Sequence, residues 1–397
     1  MIPKNWRWTT LENVSDVIMG QSPSGEETTS DSTYIPLIGG AADMGNLFPV
    51  ITRYTKVPTK LSQKDDVIIC VRATLGRPIY SDGVYCLGRG VAAIRSNILI
   101  KEYIRYFLIN NEQYLYENAT GSTFLQITSI KLKSMPIPVP PLDEQQRIVD
   151  IIENLFSKLD KAKSLAQNII DNYEIRKNKI LYETFNGKLT LKWRQRNNIN
   201  FDTWHNIPLN KAFDIKSGFS IPISEEKSKG QIPYVKVADM NLPENKIQII
   251  TSSRFVDNYN KNNIIPIGST IFPKRGGAIF TNKKRYIGKI NIIADLNIMA
   301  IIPIHDKIVG LYGYFWMLSV DLKNLNNGSM IPQINNKDMI RLFVPLPTIE
   351  EQKEIVRILD SLLNKEQRTK ELAEQILQKI DLMKKSILAR AFRGELN

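Results

Sequence analysis

Two stretches of the chain place apolar residues at alternating steps of four and three. In the first, Ile148, Ile152, Leu155, Leu159, Ala162, Ala166, Ile169, Tyr173 and, past Arg176, Ile180 fall on one line. In the second, Ile355, Leu359, Leu362, Glu366, Thr369, Ala373, Ile376, Ile380, Met383 and Ile387 do so. Neither run contains glycine or proline, and each holds register for about five heptads, which predicts long helices with a coiled-coil seam. The prolines of MPIPVPPL (135–142) block helix just before the first run, and Asp143 with Gln146 reads as its N-cap. Thr348 and Glu351 form the matching capping box of the second. Helices of about 43 residues would be about 65 Å long, and neither can bury its stripe alone. Glu366 and Thr369 interrupt the second seam, so that layer is expected to be weaker or to meet a different kind of partner.

The two helical stretches belong to a larger repeat. KILYETFNGKL (179–189) returns as SILARAFRGEL (386–396), sharing Ile180/Ile387, Leu181/Leu388, Phe185/Phe392, Gly187/Gly394 and Leu189/Leu396. Each copy reads as a helix exit, with glycine where the chain turns out. Residues 120–149 and 327–356 align at the same offset through Gly121/Gly328, Ser122/Ser329, Gln126/Gln333, Ile127/Ile334, Pro140/Pro347, Glu144/Glu351, Gln145/Gln352, Ile148/Ile355 and Val149/Val356. At a shorter offset, Trp6, Leu11, Asp16 and Gly20 match Trp204, Leu209, Asp214 and Gly218, and IPLIGGAADM (35–44) echoes IPYVKVADM (232–240). The centres, roughly residues 50–115 and 250–325, match poorly. One unit is written twice, with similar frames around dissimilar middles. Duplicated units pair about a pseudo-twofold axis, so the helices are expected to pack antiparallel, with a globular domain at each end.

Outside the helices, short β-rich runs (DVIICV, YIPLI, GSTIF, NIMAIIPI) alternate with Gly/Pro/Asn breaks. Each half adds a helical stretch, KEYIRYFLINNEQYLYE in the first and IVGLYGYFWMLSV in the second. Both halves therefore read as α+β, without the strand–helix alternation of a dinucleotide-binding fold. The expected division is a first globular domain at 1–141, a first spacer helix at 142–189, a second domain at 190–347 and a second helix at 348–397.

At 397 residues, with 43% hydrophobic and 23% charged positions, the composition is that of an ordinary globular protein. No apolar run is long enough to span a bilayer, and the N-terminal residues lack a signal-peptide core, so a cytoplasmic location with no membrane partner is expected. Two cysteines, Cys70 and Cys86, make no disulfide framework, and two histidines, His205 and His305, build no metal site. Charge changes the picture: 53 Lys+Arg against 40 Asp+Glu leaves +13, which suits a polyanionic partner. Catalytic signatures are missing from the sequence. There is no Asn/Asp-Pro-Pro-Tyr/Phe methyltransferase motif and no phosphate-binding G-x-x-x-x-G-K-[ST] loop. EEQK near residue 350 sits at a helix start, where acidic residues are expected anyway. No covalent chemistry, and no cofactor or metal on this chain, is expected.

Contact candidates lie in the divergent centres, where a β run ends in a basic, glycine-containing turn. These are DDVIICVRATLGRP, with Arg72 and Arg77, and GSTIFPKRGGAIFTNKKRYIGK, with Lys274, Arg275, Lys283, Lys284 and Arg285. Arginine can present its fork to guanine O6/N7, lysine suits phosphate, and a solvated basic loop needs no partner at all. The G-S-x-x-x-Q-I elements add Ser122, Gln126, Ser329 and Gln333, as hydrogen-bonding contacts or as turn and cap residues.

Together these features resemble the specificity subunit of type I restriction–modification systems. The front W…L…D-V/I…G, the G-S…Q-I leading into PIPVPPLDEQQRIV and FVPLPTIEEQKEIV, and the exits FNGKLTLKWR and FRGELN carry the likeness over nearly the whole chain. The resemblance implies two target-recognition domains separated by an antiparallel two-helix coiled coil. Each would read one half of a bipartite, asymmetric site in double-stranded DNA. It also implies two modification subunits carrying S-adenosylmethionine and adenine methylation, and restriction subunits using ATP and Mg, with this chain non-catalytic. A structural coiled-coil DNA-binding protein, or the recognition subunit of a related multi-subunit methyltransferase, are the alternatives.

Overall fold

Alternating apolar positions in the β-rich runs close twice into a large sheet, a smaller sheet and a two-stranded ribbon. The computed structural model describes residues 3–121, 124–257, 259–325 and 330–396. Two compact units result, one of Met1–Asn168 with Ala373–Asn397, the other of Ile169–Leu372.

In the first unit a four-stranded antiparallel sheet runs in the order Asp16–Met19, Val91–Arg95, Val67–Cys70, Gly76–Tyr80. A second sheet joins Thr28–Thr29, Tyr54–Thr55, Ile35–Ile38 and Cys86–Leu87, the last pair parallel. In the second unit the order is Phe213–Ser217, Ile298–Pro303, Thr270–Pro273, Arg285–Tyr286, and a smaller sheet joins Phe255–Val256, Ile232–Val235 and Ile293–Ala294. A two-stranded ribbon completes each unit: Arg7–Thr10 with Pro136–Val139, and His205–Pro208 with Phe343–Leu346. The proline-rich stretch before each long helix is thus an edge strand, a place where a missing N–H costs no ladder bond.

One helix packs on the large sheet in each unit, Lys101–Asn110 and Gly310–Ser319. Tyr103 and Tyr312 occupy the same place on them. Both are buried, and their hydroxyls donate to Pro138 O (2.8 Å) and Pro345 O (2.5 Å) respectively. Against each tyrosine lies a phenylalanine from a repeated helix exit. Phe392 meets Tyr103 edge-on at 5.1 Å, and Phe185 meets Tyr312 at 5.6 Å. Gly187 (φ 72°) and Gly394 (φ 71°) hold the left-handed turns that follow, as expected of a helix exit.

The long helices depart from expectation in three respects. The first is two helices, Leu142–Asp171 and Tyr173–Phe185, separated at Asn172, whereas the second runs unbroken over Ile349–Ala391. Asp143 lies inside the first turn instead of capping it. Ile148, Ile152, Ile355, Leu359 and Ile380 are buried and Leu155, Leu159 and Leu362 half-buried, but Thr369, Ile376 and Met383 face solvent. The stripe is carried past them by Lys370, Leu377 and Lys384, whose lysine stems cover apolar surface. Lys384 sits 4.9 Å from the Phe156 ring, and Lys370 sits 5.0 Å from that of Tyr173.

Within each unit the helical segments run antiparallel. In the first, Lys384 bonds Asp160 at 2.5 Å, Lys163 pairs with Asp381, and Arg147 donates to Leu396 O. In the second, Tyr173 donates to Gln367 (2.9 Å) and Arg176 to Glu366 (2.7 Å). The interruption at Glu366 is therefore a polar layer whose partner is Arg176, the non-apolar residue of the first seam.

Candidate nucleic-acid interface

The strand Val67–Cys70 continues past its end into Arg72, and Thr270–Pro273 continues into Arg275. Each arginine pairs across an isolated antiparallel bridge with a glutamine, Arg72 with Gln126 and Arg275 with Gln333. The flanking bonds correspond one for one. Ile127 N–H donates to Val71 O (3.0 Å) and Ala73 N–H to Leu125 O (2.8 Å). Ile334 N–H donates to Lys274 O (2.9 Å) and Gly276 N–H to Pro332 O (2.8 Å). Arginine and glutamine thus form a non-hydrogen-bonded pair, the geometry that brings opposite side chains closest on one face. The residue after each arginine is left-handed: Ala73 at φ 61° and Gly276 at φ 71°.

Both arginines are exposed and both glutamines half-exposed. Among the described residues neither guanidinium has a hydrogen bond, ion pair or ring contact, while Gln333 donates to Asn335 at 2.9 Å. Lys274 is half-buried next to Arg275, and burial and the Arg275 charge together push its pKa down. An exposed apolar side chain stands two residues before each glutamine, Phe124 (72% exposed) and Ile331 (55%). Neither was singled out from the sequence, although the apolar position two before Q-I in both copies was the available signal.

The remaining candidates are tied to the fold. Arg77 donates to Ala41 O (3.1 Å) and Met44 O (3.0 Å), and Arg285 donates to Met240 O (2.7 Å) and Lys284 O (2.8 Å). Met44 and Met240 end the repeated IP…ADM segments, so arginines from unlike sequence positions tether equivalent turns. Arg285 is accordingly corrected from a surface cation to a partly buried tether; its pKa is lowered by burial, and its Nε has no partner among the described residues. Lys284 is corrected likewise. It is 2% exposed, its ammonium donates to Asn282 Oδ1 and Val320 O at 2.6 Å each, and burial pushes its pKa down to about 7. Lys283 bonds Asn241. Ser122, Gly328 and Ser329 lie outside the described residues.

Two identical positions of the repeat prove to be structural clamps. Gln145 accepts from Ile100 N–H (3.0 Å) and donates to Ile98 O (3.1 Å) and Pro140 O (3.0 Å). Gln352 accepts from Val309 N–H (2.8 Å) and donates to Lys307 O and Pro347 O, both at 3.0 Å. Each ties the start of a long helix to the start of the helix on the sheet. The neighbouring glutamates differ. Glu144 holds only the exposed Arg147, whereas Glu351, fully buried, accepts from Thr190 (2.5 Å), Arg194 (2.5 Å) and Trp204 (2.9 Å). The Thr348 hydroxyl does accept from Glu351 N–H at 3.3 Å, but the carboxylate is engaged elsewhere, so the expected capping box is one-sided. Among the described residues no cluster fit for a metal ion occurs, and no helix is long and apolar enough to cross a membrane.

Fold and site define a class: a duplicated α+β module whose two copies each present a bridged arginine–glutamine pair. Residues 3–170 and 202–378 match the type I restriction modification DNA specificity domain, and the chain belongs to that family. It is 23% identical to the type I restriction enzyme EcoKI specificity subunit of Escherichia coli K12, over 100% of this chain and 90% of that one. The EcoDI specificity subunit of Escherichia coli is 28% identical over 75% of this chain and 71% of its own. A specificity subunit of Methanocaldococcus jannaschii, 31% identical, aligns over 48% of this chain and only 45% of its own length. The fold is shared with the HsdS subunit of Thermoanaerobacter tengcongensis (TM-score 0.70, 20% identity, 100% of this chain and 98% of that one). It is shared also with a chain solved in work on assembly of the type I R-M system (TM-score 0.75, 19% identity, 100% of both chains).

Proposed function

We propose that this chain is the DNA-recognition subunit of a type I restriction–modification complex, each unit reading one half of a bipartite, asymmetric site in double-stranded DNA. One observation carries the reading. The same module occurs twice with matching frames, unlike centres and, at the same bridge in each, an exposed arginine with no side-chain partner among the described residues. The excess of 53 Lys+Arg over 40 Asp+Glu fits a polyanionic partner. On this reading the paired helices act as a ruler for an unread spacer. Two modification subunits dock on the repeats and bring S-adenosylmethionine, restriction subunits bring ATP and Mg chemistry, and this chain supplies no catalytic group.

Selection of random duplexes by the full chain, alone and with its modification subunits, tests the proposal. A motif of two specified blocks around a fixed gap is expected; a single uninterrupted block would refute it. Removing one heptad from both helices shortens them by about 10.5 Å, equivalent to about three base pairs. The gap is expected to contract by that amount while both blocks keep their sequence. A change in the blocks would end the ruler idea.

A further inference from the structure

We infer that Arg72 with Gln126, and Arg275 with Gln333, grip the sugar–phosphate backbone and set register, rather than reading bases. The inference rests on the DNA-reading role proposed above and says which part of the duplex these pairs touch.

The argument begins with what the two copies keep and what they change. Around the bridge the residues differ: Val71 faces Lys274 in the alignment, Ala73 faces Gly276, Leu125 faces Pro332. Kept at the bridge are the arginine, the glutamine and the isoleucine after it, and because Ile127 and Ile334 are buried in the core only the arginine and glutamine reach the surface. A side chain that reads a base must change when the base changes, whereas every half-site offers the same phosphates. Two readers of unlike sequences that keep one polar pair are keeping a contact with something their targets share.

The surroundings agree. Neither guanidinium has an acidic partner among the described residues, so each keeps its whole donor fork for an incoming group. In the second unit Lys274 adds another cation next to Arg275, and its ammonium has no hydrogen bond among the described residues. Adjacent uncompensated cations suit an anion better than the neutral edge of a base. The backbone at the bridge is pinned from both strands, and in the first unit Gln126 is pinned again by its exchange with Thr120 (2.8 and 2.9 Å). A contact that sets register needs that rigidity.

The test compares the full chain with Arg72→Ala, Arg275→Ala and the double variant. Each is measured on the selected site, on duplexes with either half scrambled, and from 50 to 200 mM salt. Each substitution is expected to weaken binding about tenfold on every duplex. The slope of log Kd against log salt should fall by about 0.9 per arginine removed. The motif recovered by repeat selection should be unchanged. Loss of one specified position, with the others intact, would make the arginine a base reader, and an unchanged Kd would equally overturn the clamp. Arg72→Lys and Arg275→Lys guard against misfolding. They should keep most of the affinity and the salt slope if the target is phosphate, and lose discrimination at one position if it is guanine. If the unsubstituted chain selects no motif at all, the DNA-reading role itself fails, a result distinct from any of these.

Discussion

The first and second units reach one architecture by partly different means, and the difference separates frame from variable surface. The order of the large sheet, the ribbon before each long helix, the Tyr–Phe contact and the glutamine clamp recur, while the smaller sheet has four strands in the first unit and three in the second. The turn ending in Met44 is tethered by Arg77, and that ending in Met240 by Arg285, which occupies a different strand position. Basic residues in the centres therefore fall into two groups. Some, such as Arg77, Lys284 and Arg285, hold the domain together, whereas Arg72 and Arg275 face outward from the bridge.

The largest contrast should come from the paired glutamates. Glu351→Ala leaves the buried Arg194 without its counter-charge and is expected to cost about 3–5 kcal/mol in denaturant unfolding. Glu144→Ala removes an exposed pair and should cost below about 1 kcal/mol. The comparison breaks if the two losses are equal. Gln145→Ala and Gln352→Ala should instead behave alike, each costing about 3 kcal/mol, because each strands three backbone partners. A smaller effect concerns the left-handed residue at each bridge. Ala73→Gly is expected to gain about 1 kcal/mol by relieving the side-chain clash, and Gly276→Ala to lose about as much.

The subtlest contrast depends on pH. Lys284 has a folded-state pKa of about 7 against an ordinary value of 10.5. Between these the unfolded chain binds the proton more tightly, so stability rises with pH across about 7 to 10.5 and is level below about 7, where both states carry the proton. Melting curves of the wild type and Lys284→Met should diverge across that window, the wild type gaining on the variant as pH rises. Parallel curves would show that the ammonium stays charged in the fold.

Much of this was legible in the chain. Long helices announce themselves because apolar spacing of four and three persists over many turns, and Gly187 and Gly394 mark exits because few other residues accept a left-handed turn cheaply. Thr369, Ile376 and Met383 were misplaced because a polarity count treats lysine as a surface residue. Lys370 and Lys384 cover aromatic rings with their stems and present only the ammonium outward. The run Lys283–Lys284–Arg285 misled for a related reason: charge gives no direction, and two of its three side chains point back to carbonyls of the fold. The bridges were half visible. Each arginine and glutamine could be named, but only the closing of backbone across some 50 residues brings them together.

The joint at Gly394 has a topological consequence. It sits against Pro3 with no room for a β-carbon, just as Gly187 sits against Phe201. In the second case the chain runs on covalently through Leu191–Arg196, whereas Gly394 meets Pro3 from the far end of the sequence. A linker from residue 396 to residue 3, with the chain opened between residues 197 and 200, would exchange the order of the two halves while keeping Gly394 packed on Pro3.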